Sequence, residues 1–162
     1  MKTYSVIFIV LILIMGLSCQ QQSAALNDAQ KAEIEKEVIA QQHAFIKACD
    51  ALEAKAVAGL MSAKHFLAYI SLGGGAYLAR QAVVDSIKSS FSRSQSGYSE
   101  ITLLKVYPMT SSLAIADVIV RGSDAAKDGT ISKWQVAWTM TWQKEPTGWY
   151  IVHYHESWKE IK

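Results

Sequence analysis

The chain predicts an α+β domain, with helices first and then a run of antiparallel strands whose sheet those helices cover on one face. Three observations predict it. Apolar residues recur at helical spacing up to Phe91, and two-residue alternation dominates after Tyr98. Turn chemistry at Pro108 to Ser112, Asp128-Gly129 and Pro146 to Gly148 divides the second half into closely connected strands.

Asn27 followed by Gln30 has the form of a capping box. Ile34, Val38, Phe45, Cys49 and Leu52 follow at helical spacing with Glu33, Lys36 and Glu37 between them, so a long amphipathic helix starts here. Asp50 with Glu53 three residues later is a second cap pattern, which predicts a break and a short helix through Leu60. His65 to Ser71 reads as a strand ended by Gly73-Gly74-Gly75, and a third helix is expected from about Ala79 to Phe91, with Ala82, Val83, Ile87 and Phe91 inward. Strands follow over Tyr98 to Tyr107, Leu113 to Arg121, Ile131 to Lys144 and Trp149 to Trp158. In the third of these, Trp134, Val136, Trp138, Met140 and Trp142 share one parity, and so much indole on one face points inward.

The start of the chain has a different character. Lys2 precedes an apolar run from Val6 to Met15, then Gly16-Leu17-Ser18 and Cys19. The run is too short to span a bilayer, for which about 20 apolar residues are needed, so it reads as a secretory signal. Its end resembles the lipobox of bacterial lipoproteins, with Ser18 before a lipidated Cys19, although Gly16 stands where that signal usually has Leu, Val or Ile. Three segments are expected: a signal peptide over 1–18, a polar tether over 19–26 and a single domain over 27–162. The location implied is the periplasmic side of a bacterial cell envelope, attached to the membrane only through the lipid. Gln20 after the cysteine favours the outer membrane by resemblance to enterobacterial sorting. Ordinary cleavage after Ser23-Ala24-Ala25 is the alternative and would give a secreted soluble protein.

Cys19 and Cys49 are the two cysteines, so acylation of Cys19 leaves Cys49 unpaired, a small buried hydrophobe on the first helix. The formal charge of +2 is spread over both signs, and no basic patch points to nucleic acid. Gly73-Gly74-Gly75 lacks the Lys-Ser or Lys-Thr of a phosphate loop, and neither Ser157 nor Cys49 has the context of a nucleophile. No cofactor is expected.

The order and spacing of several segments resemble the nuclear transport factor 2-like superfamily, and within it the SnoaL-like domains of small bacterial proteins. These are the long helix ending at Asp50, Tyr69-Ile70-Ser71 before a glycine turn, the Arg80 to Phe91 helix, Leu113 to Ala116, Thr139 to Trp142 and Trp149 to Ser157. The resemblance implies a cone-shaped fold in which a strongly curved, mostly antiparallel sheet wraps the first helix and leaves a pocket at its wide end. It also implies a homodimer through the outer face of the sheet. Members include isomerases, dehydratases, epoxide hydrolases and polyketide cyclases, and many have no known catalysis. Its enzymes place a carboxylate in the apolar cone as base, with Tyr, Asp or His donors beside it.

Asp117, flanked by apolar Ala116 and Val118 inside a predicted strand, is the candidate base if it faces the cone; facing outward, it would pair with solvent or a cation. Tyr69 and Ser71 lie two apart on one strand face and are candidate wall groups, as is Trp138. Alternation puts Trp149, Ile151, His153, His155 and Ser157 on one face, so His153 and His155 are candidate polar lining. Their His-x-His spacing also suits a metal, but no carboxylate-histidine signature accompanies it and no metal site is expected. The reading is a domain that binds a small, mainly apolar molecule in its cone. A cofactor-free isomerase, dehydratase or hydrolase using Asp117 is the alternative, and a protein-interaction module the third.

Overall fold

The computed structural model describes residues 25–71 and 75–161. The signal segment, Cys19 and Gly73-Gly74 lie outside the described residues.

Helix α1 (Asp28–Asp50) starts at the expected capping box: the Gln30 amide donates to Asn27 Oδ1 at 2.9 Å and the Asn27 amide to Gln30 Oε1 at 3.0 Å. Its buried face carries Ile34, Val38, Gln42, Phe45 and Ile46. Asp50 does not cap the next helix, α2 (Ala54–Gly59), whose N-cap is Glu53 without a side-chain bond. Because α1 continues through Asp50, that residue keeps helical backbone and the chain turns only afterwards, at Leu52 with φ +55°. The Asp50 carboxylate instead accepts from the Ser99 hydroxyl at 2.6 Å and the Ser99 amide at 3.2 Å. Strands β1 (Ala68–Ile70) and β2 (Ala76–Tyr77) precede α3 (Arg80–Arg93), which buries Val83 and Val84. Arg80 donates to the carbonyls of Ala58 and Met61, satisfying the open end of α2.

Four long strands complete the domain: β3 (Ser94–Thr110), β4 (Leu113–Ala126), β5 (Ile131–Glu145) and β6 (Gly148–Glu160). The sheet order is β2-β1-β6-β5-β4-β3, with every pairing antiparallel except β1 on β6. Pro108, expected in a turn, lies within β3 opposite Ala114. An edge strand accommodates a residue that has no N–H to donate. The His65 to Ser71 strand shrinks to β1, because the Ser71 amide bonds the Gly75 carbonyl at 3.0 Å and turns the chain into β2.

The inner face of the sheet packs on α1. Trp134, Val136, Met140 and Trp142 are buried, as their shared parity predicts, opposite Gly122, Val120, Ala116 and Ala114 of β4 respectively. Strand β6 departs from simple alternation. Thr141 pairs with His153 but Trp142 pairs with Ile151, so Val152 is an extra residue in the strand. Its carbonyl accepts from the Leu67 amide on the other side at 2.6 Å. Beyond this bulge the inward positions are Tyr154 and Glu156, and the expected inward placement of His153 and His155 is reversed.

Candidate functional site

The curved sheet and helices α1 and α3 border a half-open cavity of about 230 Å³. Phe45 and Cys49 come from α1, Val83 and Phe91 from α3, and Trp138 and Tyr154 from the sheet. A second lobe of about 230 Å³ shares Cys49, Phe91, Trp138 and Glu156 with the first and adds Asp50, Asp124, Trp134 and Trp158.

Glu156 stands on the wall common to both lobes. The Trp138 indole, opposite it in register, donates to Glu156 Oε2 at 3.1 Å. The Tyr69 hydroxyl donates to Glu156 Oε1. Tyr69 is fixed by register: Tyr77, Tyr69 and Tyr154 occupy one row across β2, β1 and β6. Its ring stacks on Tyr154 at 4.3 Å and on Tyr77 at 5.4 Å between centroids. Desolvation, followed by the bond to Glu156, raises the Tyr69 pKa, so the phenol stays a donor. Burial likewise holds Tyr154 protonated. Phe45 meets Trp138 edge to face at 5.7 Å and steadies the indole that points at the carboxylate.

The second lobe has its own carboxylate. Trp134 Nε1 donates to Asp124 at 2.9 Å, and the Trp134 ring stacks on Trp158 at 5.8 Å. Burial pushes the Asp124 carboxyl above its usual range; the Trp134 bond opposes this, and the charge of Asp50 adds to it. Cys49 lies between the lobes with its thiol pushed up to about 12, mainly by burial and further by the charges of Asp50, Asp124 and Glu156. Such a thiol is inert at neutral pH, consistent with a packing role.

Among the residues expected from sequence, Tyr69 and Trp138 are on the cavity wall. Ser71 is not, and sits at the β1–β2 turn where Gly75 folds over it. His153 and His155 are on the outer face, in register with Thr141 and Thr139, because of the bulge at Val152. Asp117 is also on the outer face, since Ala116 and Val118 on either side of it are buried; it accepts from the Thr139 hydroxyl at 2.9 Å. Asp117, Thr139 and His155 thus form one row on the side of the sheet away from the cavity. The carboxylates that do face the cavity, Glu156 and Asp124, escaped the sequence reading. The alternation from Trp149 points Glu156 outward until the bulge is known, and Asp124 lies past the expected end of its strand at Arg121.

No curated protein matches the chain. Among solved structures, a nuclear transport factor 2-like superfamily protein from Salmonella enterica serovar Typhimurium LT2 superposes with a TM-score of 0.70 at 15% identity, over 78% of this chain and 91% of that one. Hexachlorocyclohexane dehydrochlorinase LinA-type3 from Novosphingobium barchaimii LL02 gives 0.68 at 9% identity, over 83% and 94%. A conserved protein from Planctomyces limnophilus DSM 3776 gives 0.68 at 9% identity, over 81% and 100%. At these identities the likeness is one of fold. The sequence itself carries a SnoaL-like domain over residues 38–159, which takes in the second half of α1, all of α2 and α3, and the six strands up to the last residue of β6. The chain therefore belongs to the SnoaL-like family, a nuclear transport factor 2-like cone of six strands wrapped on an N-terminal helix.

Proposed function

We propose that the domain binds a small, mainly apolar molecule in its cone and orients the polar end of that molecule on Glu156. The observation that carries this is a carboxylate set among aromatic walls and held by two neutral donors, Tyr69 and Trp138. A carboxylate has about four acceptor positions, so two donors leave room for a ligand hydroxyl or amine. A convenient probe is 2-naphthol, which is fluorescent, neutral at pH 7 and carries one donor. Saturable binding is expected, and it should vanish in Ser90→Trp, where the new ring occupies an exposed helix position bordering both lobes. Binding that survives this plug contradicts the reading.

The pairing of Tyr69 with Glu156 favours a second reading, cofactor-free proton transfer of the isomerase, dehydratase or hydrolase kind. Here Glu156 on the cavity wall is the base, and Asp117 on the outer face is not. A fall in the turnover rate of bound matched substrate in Glu156→Gln, beyond the loss in its binding, is the expected result.

The cell-envelope location rests on the apolar run before Ser18-Cys19. Labelled palmitate should enter the wild-type chain in its bacterial host and not Cys19→Ser. A homodimer through the outer sheet face is supported by Leu103 and Tyr107, which are 44% and 40% exposed there. Light scattering on the purified protein tests it.

A further inference from the structure

We propose that the molecule held in the cone is an organic cation, an amine or quaternary ammonium whose charged head lies among Glu156, Asp124 and the indoles of Trp134 and Trp138. This rests on the cone being the binding site.

The first observation is charge. The two lobes are bordered by Asp50, Asp124 and Glu156 and by no Lys, Arg or His. Among the described residues none of these three carboxylates forms a salt bridge. Their partners are all neutral donors: Ser99 for Asp50, Trp134 for Asp124, and Tyr69 with Trp138 for Glu156. Neutral donors satisfy lone pairs but leave the formal charges uncompensated around one partly desolvated space. Burial raises the Asp124 pKa, and the neighbouring charge of Asp50 adds to it.

The second observation is the wall. Phe45, Phe91, Trp134, Trp138, Tyr154 and Trp158 surround the same space. Aromatic faces attract cations, most strongly where water is excluded, and indole is the best of them. An anionic ligand would meet repulsion from three sides, and a neutral one would leave the carboxylates as they are. A bare metal ion is a poor fit, because no three His, Cys, Asp or Glu side chains among the described residues converge closely enough to hold one. Carboxylates spread around two lobes of about 230 Å³ each suit a bulky organic cation instead.

The test compares two ligands of one shape, phenyltrimethylammonium and its uncharged isostere tert-butylbenzene, each competing with 2-naphthol for the intact mature protein. The cation is expected to bind at least about tenfold more tightly, with an affinity that falls as salt rises. That preference should shrink in Glu156→Gln and in Asp124→Asn, measured separately. Equal or tighter binding of the uncharged isostere overturns the cation inference and leaves the cone reading intact. Failure of both ligands and of 2-naphthol to bind the wild-type protein overturns the cone reading and the inference with it.

Discussion

The hydroxyl of Tyr69 donates to the carboxylate of Glu156, tying a three-residue parallel strand to the last strand of the sheet. The bond closes one side of the cavity and fixes the orientation of its carboxylate. Tyr69→Phe keeps the stacked rings on Tyr77 and Tyr154 and removes the donor. It should destabilise the domain by about 1.5–3 kcal/mol, the range for a hydrogen bond to a charged group. Denaturant titration checks this, and an unchanged midpoint would show that the bond adds nothing to stability.

The bulge at Val152 explains which parts of this architecture are legible in the sequence. Strand β5 alternates without interruption, and its inward indoles follow from parity alone. In β6 apolar residues occupy both parities, Trp149 and Ile151 on one and Tyr150, Val152 and Tyr154 on the other, so the pattern does not reveal an extra residue. The bulge is set by pairing with β5 on one side and with Leu67 on the other, and both are contacts between distant segments. One shifted residue exchanged the two histidines for Glu156. Local signals such as the Asn27 box need no distant partner and were readable directly. Asp50 carries a local cap pattern, but its partner Ser99 comes from β3, too distant in the chain for that pattern to show.

Gly122 lies under the Trp134 ring, and a Cβ there would come within 2.5 Å of the indole and 2.4 Å of the Tyr98 carbonyl. Backbone on one side and a buried ring on the other leave little room to yield. Gly122→Ala should therefore cost about 1–3 kcal/mol by overpacking. Thermal unfolding reads this, with loss of the second lobe's indole environment visible in the near-ultraviolet dichroism.

Cys49 should resist alkylation. With its thiol pushed up to about 12, little thiolate exists at pH 8. In a Cys19→Ser background, iodoacetamide should modify the folded protein about a hundredfold or more slowly than the denatured chain. Comparable rates would mean that the region between the lobes opens readily to solvent.

Asp124 gives a pH signature of definite sign. Its folded pKa lies above the unfolded value, so its contribution favours the fold below the unfolded pKa and is lost as pH rises through the folded one. Asp124→Asn keeps an acceptor for Trp134 and has no such titration. The variant should match the wild type in acid and exceed its stability at neutral pH. Denaturant midpoints across that range would contradict the assignment if the variant were the weaker at neutral pH.

In the proposed function the cone, organised on Glu156, is where this protein meets its ligand, and the outer-face histidines have no part in it. The most direct measurement is 2-naphthol affinity in Glu156→Gln and in the double variant His153→Ala/His155→Ala. About a tenfold or greater loss is expected for the first and none for the second. Unchanged affinity without the Glu156 carboxylate, together with a loss in the histidine variant, would place the ligand on the other side of the sheet.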